Sequence, residues 1–167
     1  MSDTSEQEEN WKKEQIKMAS MATIPKDPCL CSSVSYIFQH NHYLFVRKDS
    51  RFLVNTYGGV DVSLSVNNDG RAVAVYVIMQ KRELIYSDSE IFHLNIPYKS
   101  SFLAFREVDP MERLIKKQIQ NNPELTPNAI LVDGNGLLHC RRAGIAVFLG
   151  VRTGIKTIGV AKSLYCH

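Results

Sequence analysis

The sequence has few of the features that mark membrane, secreted or disulfide-bonded proteins. No stretch approaches the ~20 apolar residues of a membrane-spanning helix, and the acidic N-terminus lacks the basic-then-apolar layout of a signal peptide. Cysteine is scarce, and the spacing of Cys29, Cys31, Cys140 and Cys166 fits neither a disulfide framework nor a paired Cys-x-x-Cys zinc site. Internal repeats and low-complexity tracts are also absent. We therefore expect one intracellular domain with an ordinary hydrophobic core and no membrane contact.

The net charge is only +3, but it is unevenly distributed along the chain. The first ten residues contain four acidic side chains and no basic one. The remaining 157 residues therefore carry 20 basic and 13 acidic side chains, a net charge of +7. Such an excess favours a polyanionic partner such as nucleic acid, although a solvated basic surface explains the charge equally well.

The segment from residue 23 to residue 50 has no clear pattern. Pro25 and Pro28 exclude a continuous helix, and both a strand and an inserted loop remain open for the residues that follow. Cys29-x-Cys31 and His40-x-His42 supply four potential metal ligands, but their one-residue gaps are poor zinc-finger spacing. We assign residues 1–50 to an N-terminal helix, over residues 11–22, plus this segment, and residues 51–167 to the main domain.

The main domain begins with a pattern of three antiparallel strands. Valines and leucines alternate with polar residues over 57–66, and Asp69-Gly70 then predicts a hairpin turn. The returning strand, 72–79, is apolar on both faces, which predicts cover on both sides of the sheet. A third strand over about 84–96 completes the meander.

The second half of the domain has an α/β pattern. Asp109 and Pro110 predict the start of a helix that ends before Pro123. A short apolar strand, 129–132, a helix, 143–151, and another strand, 157–161, then form a βαβ unit. The fold class we predict is α/β, with a mixed sheet.

Two aspartates lie on predicted strands and a glutamate lies between them in sequence. Asp61 is in mid-strand, where a solvated side chain is the commoner explanation, but the doubly apolar neighbouring strand suggests that it points into a covered cleft. Asp133 ends an apolar strand and opens a glycine-rich turn, which is where α/β sheets place ligand sites, although a plain turn would also use it. Converging carboxylates suggest Mg²⁺ or Mn²⁺, and Glu107 is the third candidate, with a surface acid before a helix as its alternative.

Five ordered sequence blocks lie between residues 57 and 162. They are Tyr57-Gly58-Gly59-Val60-Asp61-Val62-Ser63, Pro97-Tyr98, Phe102-Leu103-Ala104-Phe105-Arg106-Glu107, Leu131-Val132-Asp133-Gly134-Asn135-Gly136-Leu137-Leu138-His139 and Thr157-Ile158-Gly159-Val160-Ala161-Lys162. In this order they resemble the endonuclease V family, with a weaker match at Trp11–Gln15. The resemblance implies a ribonuclease H-like fold and a metal-dependent nuclease that cuts near inosine.

The resemblance also implies roles for individual residues. Asp61, Glu107 and Asp133 match the metal-site carboxylates, which implies Mg²⁺, with Mn²⁺ as an alternative. Pro97 and Tyr98 match the family's wedge, which fills the gap beside an extruded base. The other matching positions contact the phosphate or the substrate, and they are His139, Lys162, Arg106 and the turn Gly134-Asn135-Gly136.

These roles predict hydrolysis of a phosphodiester bond 3′ to inosine in single-stranded RNA, leaving a 3′-hydroxyl and a 5′-phosphate. Deoxyinosine in DNA, and thus DNA repair, remains open. By the resemblance, we expect a monomer in the cytoplasm, the nucleus or the nucleolus.

The sequence departs from the family in several places. A glycine is usual at Ser101, a histidine is common at Phe148 and a proline is common at Lys156. The family sequence also continues well beyond Lys162, whereas five residues follow it here, so we expect a fold that is incomplete at its C-terminus. Two alternatives follow: a truncated form that binds inosine-containing RNA with impaired catalysis, and a chain that does not fold alone.

Overall fold

The computed structural model describes residues 2–23, 56–67 and 69–161. Three helices, one 3₁₀ turn and five strands form this part of the protein. In chain order they are α1 (Ser2–Met21), β1 (Thr56–Leu64), β2 (Arg71–Gln80), β3 (Glu83–His93), α2 (Leu103–Asn121), the 3₁₀ turn (Pro123–Leu125), β4 (Ala129–Asp133), α3 (Ile145–Thr153) and β5 (Thr157–Val160). The Cys29, Cys31, His40 and His42 ligand set lies outside the described residues.

The five strands form one mixed sheet in the order β3-β2-β1-β4-β5. The first three strands pair antiparallel, while β4 is parallel to β1 and β5 is parallel to β4. Gly70 has φ +73° in the first hairpin, as the Asp-Gly turn predicts. The predicted α/β class, with an antiparallel meander followed by a helix and a βαβ unit, is confirmed.

The hydrophobic core covers one face of this sheet. Val60, Ala74, Tyr76, Ile78 and Val132 point toward α2 and α3 and are almost fully buried. In the strand order, β4 follows β1 and β5 follows β4 in the same direction across the sheet. Right-handed crossovers between these strands therefore place α2 and α3 on the same face. α1 packs in turn against α3.

The prediction that both faces of β2 are covered is wrong for the part of the chain that the structure describes. Val75 is 38% exposed and Ile91 on neighbouring β3 is 75% exposed, both on the face opposite the helices. The helix layer of the described ranges lies on one side only, because of the crossover direction.

Helix α2 begins seven residues earlier than the Asp109-Pro110 signal predicts, and Pro110 lies inside it. A proline in a helix removes one N–H donor and strains the preceding turn. Burial outweighs that cost here: Ala104 and Val108 are each 2% exposed, and the Phe105 ring packs between Trp11 and Phe148. Glu107 is therefore a helical residue, and its alternative as a surface acid preceding a helix is wrong.

The βαβ unit follows the prediction closely. Helix α3 is shifted by two residues relative to 143–151 and ends at Thr153, and Gly154, with φ +73°, forms its left-handed cap. Within the described ranges, no helix has the length and apolar character needed to cross a membrane.

Candidate active site

Asp61 and Asp133 stand side by side on the parallel strands β1 and β4. The register pairs Gly59 with Leu131 and Val60 with Val132, so the next position along both strands brings the two aspartates together. Val60 and Val132 point into the core, and alternation puts both carboxylates on the opposite face. Both aspartates are exposed, so the expectation that Asp61 lies in a covered cleft is not met in the described ranges, where the helices pack on the other face.

Glu107 approaches this pair from α2. Its side chain is only 14% exposed. Burial raises the pKa of Glu107 to about 7; Arg106 opposes that rise, and the negative charges of Asp61 and Asp133 add to it. Three carboxylates that are distant in sequence therefore share one electrostatic environment, as the family resemblance implies.

The chemistry of this donor set fits a hard divalent cation. The three carboxylates repel one another, and burial of Glu107 raises its pKa to about 7. Added positive charge stabilises such a group of carboxylates. Within residues 2–23, 56–67 and 69–161 no three acidic, histidine or cysteine side chains form a closed ligand group as they lie. Mg²⁺ does not need one, because it commonly binds one or two carboxylates together with waters and substrate phosphates.

The segment 97–102, which we name the wedge loop, carries the exposed aromatic of this site. The Tyr98 side chain is 66% exposed, and the Arg106 guanidinium lies 5.9 Å from the centre of its ring. Arg106 Nε also lies 3.9 Å from a Glu107 carboxylate oxygen. The structure thus brings predicted site residues of the wedge and of the carboxylate group to the two sides of one arginine.

The turn Gly134-Asn135-Gly136 is packed too tightly for a side chain at Gly134. Gly134 has φ +129°, and a Cβ there would lie 2.6 Å from Ile145 Cγ2. A Cβ on Gly159 of β5 would lie 2.5 Å from the Gly136 backbone nitrogen. The turn is therefore held rigidly over the ends of β4 and β5.

A small, open pocket of about 80 Å³ lies between this turn and the wedge loop. It is lined mainly by Tyr98, Ser100, Leu103, Gly134, Asn135 and Ile145. Its lining combines apolar side chains with polar groups, among them Asn135 and His139.

His139 forms part of the pocket wall, and its two ring nitrogens both contact backbone groups. The Arg141 backbone N–H donates to Nδ1 at 3.2 Å, so Nε2 carries the proton and donates to the Ser101 carbonyl oxygen at 3.1 Å. Burial lowers the pKa of His139, and nearby Arg141 adds to that effect. His139 is 5% exposed. The predicted phosphate contact of Lys162 falls outside the described residues.

Gln15 is a partner that sequence reasoning did not assign to the site. From the sequence, Arg141 is expected either to add positive charge beside the site or to lie in a solvated loop. Arg141 Nε donates to Gln15 Oε1 at 2.5 Å, and its guanidinium lies 4.7 Å from the centre of the Phe102 ring, so a solvated loop does not describe Arg141. Gln15 is 1% exposed. The helical spacing of Trp11, Gln15 and Met18 was the signal, because a glutamine on an apolar helix face must find buried partners.

A known protein family matches the part of the chain that contains Asp61, Glu107 and Asp133. The family model described as Endonuclease V matches residues 40–167. The chain belongs to the endonuclease V family. Mouse endonuclease V is 47% identical over 109 residues, which cover 64% of this chain and 32% of the mouse protein. Human endonuclease V is 44% identical over 109 residues, which cover 64% of this chain and 39% of the human protein.

Solved endonuclease V structures share the fold. The Ciona intestinalis endonuclease V D234N variant, in complex with a 23mer DNA containing an inosine followed by a ribo-adenosine, matches with a TM-score of 0.74 and 34% identity. That match covers 95% of this chain and 58% of the Ciona chain. The catalytic domain of human endonuclease V matches with a TM-score of 0.73 and 34% identity over 95% of this chain and 59% of the human one. The ribonuclease H-like fold is confirmed, and the chain spans between one third and three fifths of these relatives.

Proposed function

We propose that this protein is an endonuclease V-type phosphodiester hydrolase that acts on inosine-containing nucleic acid. The observation that carries the proposal is the register of β1 and β4, which sets Asp61 beside Asp133 while Glu107 senses both charges. Family membership supports the same assignment. The reaction leaves a 3′-hydroxyl and a 5′-phosphate.

Asp61 and Asp133 would hold the magnesium or manganese ion, with Glu107 completing the site. When bound, the ion supplies an activated water and positive charge at the scissile phosphate. The protein's own contribution is to fix the two aspartates on rigid neighbouring strands and to hold Glu107 on a helix that is anchored in the core. Arg106 keeps positive charge next to Glu107.

The base would be read in the pocket beside the turn Gly134-Asn135-Gly136. Tyr98 is exposed at the pocket wall, where its ring can stack against the bases next to an extruded nucleotide. Gly134 and Gly136 bring backbone close to the ligand, and backbone groups can read the edge of a base. His139 would form part of the wall of this pocket, whereas Lys162 would contact the phosphate.

The favoured substrate is inosine in single-stranded RNA. The Ciona relative binds a strand in which a ribo-adenosine follows the inosine, which supports recognition of a ribose at that point. A 2′-hydroxyl is the group by which a protein tells RNA from DNA. Deoxyinosine strands then serve as the comparison substrate.

The test is a cleavage assay with the full chain and a single-stranded RNA that contains one inosine. We expect magnesium-dependent cutting 3′ to inosine, no cutting of the same RNA with adenosine, and slower cutting of the all-deoxy strand. Asp61→Asn is the matched control, because it keeps side-chain size and removes the charge. Binding without any magnesium-dependent cleavage would instead show an inosine-RNA binding protein.

A further inference from the structure

The wedge loop is fastened to the N-terminal helix through one carbonyl oxygen. Gln15 Nε2 donates to the Ser101 carbonyl oxygen at 2.7 Å and lies 3.3 Å from the Ala143 carbonyl oxygen. The same Ser101 oxygen accepts from His139 Nε2 at 3.1 Å and lies 3.4 Å from an Arg141 guanidinium nitrogen. The carbonyl therefore joins α1, the wedge loop and the 139–143 turn.

Aromatic and ionic contacts also hold the wedge loop against α1. The Trp11 ring lies 5.4 Å from the Phe102 ring and stacks at 5.1 Å on Phe105. Glu8 of α1 pairs with Lys99 in the wedge loop. Three side chains spaced along α1 thus contact the loop that carries Tyr98 and the helix start that follows it.

The Gln15 side-chain amide forms hydrogen bonds through both its oxygen and its nitrogen. Its Oε1 accepts from Arg141 while its Nε2 serves the two carbonyls, and its side chain is buried. Removing it would leave buried carbonyl groups without this donor and an arginine without this acceptor, which is costly in a low-dielectric site. Gln15 also lines the pocket beside Tyr98.

We propose that Gln15 is a positioning residue that sets the wedge loop, and with it Tyr98, for recognition of inosine. Gln15 acts through the Ser101 carbonyl and does not react with the substrate. A preordered loop binds more tightly than one that must be ordered during binding. The inference rests on the proposed function, since it assigns Tyr98 to the recognition of the base.

The experiment measures binding of the full chain to inosine-containing and adenosine-containing single-stranded RNA without divalent metal. Gln15→Met keeps side-chain length and removes every hydrogen bond, and Gln15→Glu keeps the acceptor for Arg141 but loses the donor to Ser101. We expect both to bind inosine RNA roughly tenfold more weakly, a loss of about 1.4 kcal/mol, with adenosine RNA unaffected. Gln7→Met on the exposed side of α1 is the matched control and should bind normally.

A double-mutant cycle with Tyr98→Ala separates positioning from general destabilisation. If Gln15 acts through Tyr98, adding Gln15→Met to Tyr98→Ala weakens binding by no more than about twofold further. Full additivity of the two losses, or wild-type binding by Gln15→Met, overturns the proposal.

Trp11, the single tryptophan, gives a readout that does not need RNA. Acrylamide quenching of its fluorescence should increase in Gln15→Met and stay unchanged in Gln7→Met. Equal affinity of the wild type for inosine and adenosine RNA would refute the proposed function. Unchanged quenching in Gln15→Met would refute the positioning of the loop whatever the substrate.

Discussion

The Arg106 guanidinium lies 5.9 Å from the centre of the Tyr98 ring. On its other side, Arg106 Nε is buried, lies 3.9 Å from the Glu107 carboxylate and has no hydrogen-bond partner among the described residues. One cation thus contacts the aromatic proposed to stack on bases and the carboxylate proposed to support the metal. This relationship places the recognition and cleavage groups within one short stretch of structure.

We expect Tyr98→Ala to weaken binding to inosine-containing strands by roughly 1–3 kcal/mol, the usual worth of base stacking on an aromatic side chain. Tyr98→Phe should lose little, because stacking uses the ring and not the hydroxyl. Binding titrations with matched inosine and adenosine strands check both variants. A large loss with phenylalanine, or none with alanine, would remove Tyr98 from the site.

Asp61→Ala should abolish cleavage while binding to inosine RNA stays within about tenfold of wild type, because a metal ligand acts mainly on the transition state. Single-turnover cleavage in magnesium buffer and binding in its absence measure the two effects separately. Asp69→Ala is the control, since Asp69 pairs with Arg71 in the first hairpin. Wild-type cleavage by Asp61→Ala would disprove the metal-site assignment.

Periodicity and turn residues predicted the sheet well, because alternation in β1 and the Asp-Gly turn are local signals. They failed at the start of α2, where the helix signal of Asp109-Pro110 competes with the burial of Ala104, Val108 and Phe105. That burial depends on Trp11 and Phe148, which are distant in sequence. Local reasoning has no access to such contacts.

The candidate site also contains both residues that the sequence could identify and contacts that it could not. Asp61, Glu107 and Asp133 were identifiable from ordered motifs, and the register and shared charge environment support grouping them. Gln15 and the Ser101 carbonyl were not identifiable as a pair, because backbone acceptors leave no trace in a sequence. For the same reason, the contacts of the two His139 ring nitrogens with backbone groups could not be predicted from the sequence.

Glu107 should make the metal-free protein less stable as pH rises. Its pKa is about 7 in the folded protein, above the usual value of 4.5, so the folded state binds the extra proton. Stability from this group is fully present below about pH 4.5 and is lost as pH rises through about 7. Glu107→Gln should therefore raise the free energy of unfolding at pH 8 by roughly 1–3 kcal/mol.

Urea denaturation of wild type and Glu107→Gln at pH 5 and pH 8, in EDTA, measures this difference. The advantage of the variant should be larger at pH 8 than at pH 5, and added magnesium should stabilise the wild type more than the variant. An equal difference at both pH values would show that the pKa of Glu107 is not raised in the folded protein.

Ser101 should become more stable as glycine. Its φ of +68° lies in the left-handed region, where a side chain with a Cβ is strained and glycine is not. Ser101 contributes its backbone carbonyl to Gln15, His139 and Arg141, and glycine keeps that carbonyl. The relief of strain exceeds the added entropy of the unfolded chain, so we expect Ser101→Gly to raise stability by about 1 kcal/mol.

Ser100→Gly is the matched control. Ser100 does not have a positive φ, so this variant should lose stability or show no change. Thermal and urea denaturation compare the two variants with wild type, and a Ser101→Gly protein that is less stable than Ser100→Gly would show that the Ser101 side chain holds the loop.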